Sequence, residues 1–310
     1  FLSARSGSQQ LYVMPLDGGE PRQLTAFALD VDSYRLSPDG SRIAFSAQTF
    51  ADCGADLACT KRRLDERAAD KASGRVYDSL FVRHWDTWRD GRRNRLFLAA
   101  LPAAAGAPVD SASALSLALD GDIPSRPFGD AGDYTWAPDG SHVVASVRIA
   151  GRSEPWSTNF DLYRLPLDGG APVNLTAANP AWDAGPVYSR DGATLFYRAM
   201  KRPGFEADRF AIMAMDVASG RVREVAPDWD RSPSSLAVSA DGATLFAAAQ
   251  DTGQYPLFRV DVASGSVERV VDGGTVSAFD LAGDNIALTR SALDTGNVLY
   301  VTGATPDAPL

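Results

Sequence analysis

Apolar residues along the chain come in short runs of strand length, separated by turns built from Pro, Asp and Gly. The clearest case is Tyr34 to Gln48, where Tyr34-Arg35-Leu36-Ser37 and Arg42-Ile43-Ala44-Phe45-Ser46 flank Pro38-Asp39-Gly40. Pro presets φ, the Asp carboxylate caps the turn and Gly takes the position with φ > 0, so the stretch predicts a β-hairpin. The unit recurs as YTWAPDGSHVVASVR from Tyr134, PVYSRDGATLFYRAM from Pro186 and LAVSADGATLFAAAQ from Leu236, with a worn copy from Ala278. A second hairpin unit alternates with it, beginning at Leu11, Leu162, Met213 and Leu257, each with a turn of the Asp-Gly-Gly or Asp-x-x-Gly kind.

The period follows from the turn glycines: 52 residues from Gly140 to Gly192 and 50 from Gly192 to Gly242. Repeats of four strands at this spacing cannot bury both faces alone and stack radially, which predicts an all-β fold, a β-propeller of four-stranded antiparallel blades with TolB-like or WD-like repeats. The blades fall at about 1–26 (partial), 31–129 (with an insertion over 49–94), 133–176, 183–226, 233–271 and 276–310. The first lacks its inner strand and the last ends loosely. The 310 residues are therefore expected to be one propeller domain, about six blades of a seven- or eight-bladed ring, cut at both ends.

Two interruptions break the pattern. Residues 49–74 are rich in Ala, Asp, Lys and Arg, with a short helix expected over Lys61 to Lys71, and lead into the aromatic run RVYDSLFVRHWDTW from Arg75 to Trp88. The second interruption is Glu154-Pro155-Trp156-Ser157-Thr158-Asn159-Phe160. Structureless loops longer than about 12–15 residues are uncommon in compact domains and are commonly functional. By contrast, the Ala-, Ser- and Pro-rich stretch 103–127 reads as a variable outer edge.

A net charge of −9 and a pI near 4.8 argue against a nucleic-acid surface. The basic runs Lys61-Arg62-Arg63 and Arg92-Arg93-Asn94-Arg95 are interleaved with acids and read as solvated loop charge. No apolar run approaches the roughly 18–20 residues needed to span a bilayer, and the first residues lack a signal-peptide pattern. Neither nucleic acid nor membrane is an expected partner. Cys53 and Cys59 are the only cysteines. Their spacing permits a disulfide, as in an oxidising compartment, with two free thiols as the alternative. Only His84 and His142 could add to a metal site, so no metal or other cofactor is expected.

Catalytic motifs are missing from the sequence. There is no G-x-S-x-G nucleophile elbow, no EF-hand and no phosphate-cradling glycine loop. His142 sits in a repeat turn, a structural position. What remains is a binding surface, because both interruptions set aromatics and carboxylates on a rigid scaffold. A carboxylate beside an aromatic wall suits a cationic amine. The alternative is that these rings only bury the insertion.

The SPDGSRIAF-type repeats, with RVYDSLFVRHWDTWRDGRRNRLF and EPWSTNFDLYRLPLDGG, resemble the propeller domain of bacterial prolyl-oligopeptidase-family (S9) serine peptidases, in the acylaminoacyl-peptidase and dipeptidyl-peptidase V branch. The resemblance covers essentially the whole chain. It implies a propeller that filters short peptide substrates by size and lends side chains to the pocket for their amino end. It also implies a Ser-Asp-His triad on an α/β-hydrolase domain of the same parent protein, absent from this chain, and a periplasmic or secreted location. In members that release dipeptides, acidic propeller residues hold the free amine. The candidates here are Glu66, Asp78 and Asp86, with Trp85 and Trp156 as walls. An acylaminoacyl peptidase would not need that acid. The competing reading is a non-enzymatic TolB-like propeller that binds partner proteins.

Overall fold

The computed structural model describes residues 1–77, 82–102 and 106–304. Its elements are almost all antiparallel strands, arranged as six successive blade-type sheets in sequence order. They group into two compact units, Phe1–Leu175 and Thr176–Leu310.

The repeated turn explains why the inner hairpins form. At Ser37-Pro38-Asp39-Gly40-Ser41, Gly40 sits at φ 69° and its N–H donates to the Ser37 carbonyl at 2.9 Å. The Asp39 carboxylate accepts from the Ser37 hydroxyl (2.6 Å) and from the Ser41 N–H (3.1 Å). These bonds hold the Asp39 carboxyl well below its ordinary value. The same net closes at Ser189-Asp191-Ala193 and Ser239-Asp241-Ala243 in the second unit. Each hairpin is thus specified within six residues of sequence, and that locality is why the repeat survives editing elsewhere.

In the first unit the first blade has three strands, Leu2–Ser3, Gln10–Val13 and Arg22–Gln23. The second is built from Ser33–Leu36, Arg42–Phe50, Arg92–Ala100 and Ser113–Ala114. The third comprises Tyr134–Trp136, His142–Val147, Asp161–Pro166 and Val173–Asn174. Strand alternation sends Ile43, Phe45 and Ala47 into a core shared with Leu11, Phe27 and Leu29 of the first blade. Ala44 and Leu96 face the other way, onto Tyr134, Trp136 and Val143 of the third. Phe27 stacks on Phe45 with ring centroids 4.4 Å apart. Polar ties cross the same seam: Tyr134 Oη lies 3.0 Å from Ser33 Oγ, and Trp136 Nε1–H donates to the Arg35 carbonyl at 3.1 Å.

The second unit holds two four-stranded blades, from Asp183–Tyr188 to Val222–Glu224 and from Pro233–Val238 to Val267–Val271. A three-stranded sheet follows, Thr275–Ala282, Asn285–Ala292 and Thr295–Gly303. Phe196 and Ile212 pack on Leu245 and Val260, and Phe246 and Leu257 pack on Ile286 and Leu288, so neighbouring sheets again share their cores.

Several expectations are corrected. The helix runs Leu57–Ala69, starting four residues earlier than Lys61, because Asp56 caps it by accepting from the Cys59 N–H at 2.9 Å. The ladder between the second and third strands of the second blade extends through Phe50↔Arg92, which narrows the insertion to 51–91. The stretch after residue 105 is not a mere outer edge. Ile123 is fully buried, Asp122 is 7% exposed, and Val109 makes a parallel bridge to Thr25 of the first blade. The run Arg92-Arg93-Asn94-Arg95 is strand rather than solvated loop, with Asn94 and Arg95 buried.

Candidate functional site

The insertion of the second blade is a folded module. Cys53, at the end of the 3₁₀ turn Ala51–Cys53, is joined by a disulfide to Cys59 in the first turn of the helix, with Cα atoms 5.6 Å apart. Phe50 lies beneath two guanidinium groups, Arg63 at 4.7 Å and Arg67 at 4.5 Å from its ring centre. Arg63 also pairs with Asp52, and Arg67 donates to the Asp90 carbonyl at 2.8 Å. The helix is thereby tied to both ends of the module.

A short hairpin, Arg83–His84 paired with Thr87–Trp88, carries the aromatic run. Its two-residue turn is Trp85-Asp86. Trp85 adopts φ 48° in the left-handed region, where such turns normally use Gly, Asn or Asp. The Trp85 ring is 72% exposed and meets Phe128 edge to face at 5.3 Å, while His84 packs against the same Phe128 at 5.7 Å. Phe128 is held by a tight loop. The Gly129 N–H donates to the Ser125 carbonyl at 2.8 Å, and a Cβ on Gly129 would lie 2.4 Å from the Ser125 nitrogen. At the other end of the hairpin, Trp88 lies 5.9 Å from Tyr77, with Arg83 over its ring at 5.7 Å.

The second interruption folds as a 3₁₀ helix, Gly151–Trp156, whose one buried residue is Glu154. There the two interruptions meet. Arg89, at the end of the first, and Arg93, at the start of the strand Arg92–Ala100, both bind the Glu154 carboxylate, Arg93 at 3.2 Å. Arg148, from the third blade, stands 3.6 Å away. Asp122 adds a second buried carboxylate, 3.1 Å from Arg93 and 3.5 Å from Arg89, and accepts the Asn94 N–H at 2.8 Å. Burial pushes the Glu154 carboxyl up, but the Arg93 hydrogen bond and the charges of Arg93, Arg89 and Arg148 outweigh it and hold it below its ordinary value. The same two carboxylates overcome burial at Arg93 and raise its guanidinium still further. Glu154 is saturated by guanidinium donors, and its chemistry here is that of a clamp.

Above the clamp opens a cavity of about 970 Å³, walled by the helix (Leu64, Arg67), by Val76 and Tyr77, and by Arg93 and Glu154. A further wall residue, Asp120, is 72% exposed and only 3.6 Å from Arg93.

The sequence-predicted candidates are dispersed. Glu66 is exposed on the helix, Asp86 is exposed in the hairpin turn beside Trp85, and Trp156 is 69% exposed at the end of the 3₁₀ helix. Asp78 lies outside the described residues. No ring contact or ion pair joins Glu66, Trp85, Asp86 and Trp156 to one another among the described residues. Sequence reasoning missed the clamp and Phe128. Glu154 was visible in the second interruption and Arg93 in a basic run, but nothing in the sequence pairs them.

No protein-family model matches the chain. It is 34% identical over 249 residues, 76% of its length, to a probable dipeptidyl-peptidase 5 of Emericella nidulans. It is 31% identical over 293 residues, 87% of its length, to the dipeptidyl-peptidase 5 of Trichophyton equinum. It spans 33% and 40% of those two relatives. Among solved structures, the Pyrococcus horikoshii acylaminoacyl peptidase matches with TM-score 0.67 at 15% identity, over 97% of this chain and 41% of that one. A putative TolB from Agrobacterium tumefaciens matches with TM-score 0.54 at 18% identity, over 91% of this chain and 79% of that one. At these identities the solved structures speak for the β-propeller fold, and the identity to the two fungal proteins speaks for the family. The chain belongs to the dipeptidyl-peptidase 5 family, of which it is a propeller portion.

Proposed function

We propose that this propeller gates short peptides and binds their amino end for a serine exopeptidase of the dipeptidyl type, with cleavage carried out by an α/β-hydrolase domain of the same parent protein. The observation that carries the reading is the Trp85-Asp86 turn. It sets an exposed carboxylate beside an exposed aromatic wall, on an insertion stapled and clamped to its blade. A protonated α-amine gains a charge-assisted hydrogen bond from such a carboxylate and a cation–π contact from the ring. Glu154 is less suited, since three guanidinium groups already occupy its oxygens and repel a cation. Glu66 and Asp78 remain the other candidate acids, and Trp156 the other candidate wall.

The disulfide fits an oxidising compartment and supports a secreted or periplasmic location. Among the described residues no helix is long and apolar enough to cross a membrane.

The test is kinetic. The full-length parent protein is assayed on dipeptidyl and on N-acyl-aminoacyl chromogenic amides, as wild type and as Asp86→Asn. Cleavage of the free-amine substrates, with KM raised about tenfold or more by D86N, supports the reading. Cleavage of neither substrate class refutes the peptidase role. An unchanged KM in D86N removes Asp86 as the amine-holding acid.

A further inference from the structure

Trp85 is the oddest residue of the insertion. A bulky ring occupies a left-handed turn position, φ 48°, that Gly, Asn or Asp would fill with less strain. Burial does not compensate, since the ring is 72% exposed. Phe128, which meets it, is itself 68% exposed and comes from a different segment, fixed by the tight Ser125–Gly129 loop. Two exposed rings from separate segments meet edge to face at 5.3 Å, and His84 closes the third side of the group at 5.9 Å from Trp85 and 5.7 Å from Phe128. Strain held at an exposed side chain points to use of that side chain by a ligand.

We propose that Trp85 and Phe128 form the platform that selects an apolar, preferably aromatic, side chain on the first residue of the bound peptide. The inference rests on the reading above, in which Asp86 holds the peptide's amine. A charge on Asp86 anchors the ammonium, and the side chain on the adjoining carbon then falls on the rings of the same turn. The faces of Trp85 and Phe128 left open by their edge-to-face contact offer apolar area with no charge to desolvate. Glycine at that peptide position makes no such contact, so the platform discriminates by side chain and is indifferent to the scissile bond.

Two measurements test this. In the full-length enzyme, dipeptidyl amides beginning with Gly, Leu or Phe are compared across wild type, Trp85→Ala, Trp85→Phe, Trp85→Gly and Phe128→Leu. Trp85→Ala is expected to lower kcat/KM for the Leu and Phe substrates about tenfold more than for the Gly substrate, which loses only the ring's contact with the amine. Trp85→Phe retains most of the preference and Phe128→Leu loses part of it. Trp85→Gly removes the backbone strain, so its melting temperature stays level or rises while the preference disappears, a combination that a purely structural Trp85 would not produce. In parallel, binding of Phe-Ala-amide and Gly-Ala-amide to the 310-residue chain is measured by calorimetry. A preference for Phe-Ala-amide that W85A abolishes supports the platform even if the parent enzyme cleaves nothing, in which case only the peptidase reading fails. Equal loss on all substrates, or a first-residue preference that persists in W85A, overturns the proposal.

Discussion

Glu154→Ala is the sharpest perturbation of the site that can be worked from the geometry. The side chain is 10% exposed, and its carboxylate is shared by Arg89 and Arg93, with Arg148 at 3.6 Å; these three are 13–19% exposed. Removing it leaves Asp122, helped by the solvent-exposed Asp120, to face three guanidinium groups. Breaking a buried ion pair from one side costs about 3–5 kcal/mol, and the residual solvent contact here puts the cost near the lower end, about 3 kcal/mol. With a urea m-value of about 3 kcal/mol/M for a chain of this size, the unfolding midpoint should fall by about 1 M, followed by tryptophan fluorescence. Adding Arg93→Met to the same chain removes one uncompensated charge and should recover about 1–2 kcal/mol, a coupling read from the double-mutant cycle. A midpoint shift below about 0.3 M, or additive single and double variants, would refute the view that Glu154 is a buried clamp.

Other outcomes follow from the same geometry. The Glu154 carboxyl titrates below its unfolded value, so its stabilisation is complete above the ordinary carboxylate range and is lost as pH falls through the lowered folded value; acid unfolding of Glu154→Gln should be correspondingly less steep than that of wild type. Cys59→Ser opens a seven-residue loop and should cost about 2 kcal/mol locally, seen as faster tryptic cleavage after Lys61, Arg62 or Arg63; unchanged cleavage would mean that the Phe50 sandwich alone holds the helix. Gly129→Ala drives a Cβ to 2.4 Å from the Ser125 backbone and should destabilise by about 1–3 kcal/mol while shifting Phe128, read as a lower melting temperature together with weaker discrimination between Phe- and Gly-initiated peptides.

The blade pattern was legible because its determinants are local. Ser37, Asp39, Gly40 and Ser41 close their own hydrogen-bond net, so each copy announces a hairpin without reference to the rest of the chain. The alternation of Ile43, Ala44 and Phe45 likewise announces two buried faces, which a stack of sheets supplies on either side. The two interruptions were legible as breaks in that rhythm.

What the interruptions do to one another was decided in three dimensions. Glu154 binds Arg93 across 61 positions and Arg89 across 65, because nine residue pairs of ladder set the height at which the insertion leaves its blade and the 3₁₀ turn of the next blade rises to meet it. A run of arginines reads as solvated until that register brings buried carboxylates to it. The same holds for Asp122 and Ile123, which composition assigns to an outer edge and packing takes inside, and for Phe128, which becomes a partner of Trp85 only through a loop too tight for any residue but glycine at 129. Local turn chemistry is written in adjacent residues and can be read from them. Charge compensation and ring contact depend on distances the chain acquires only once its sheets are stacked.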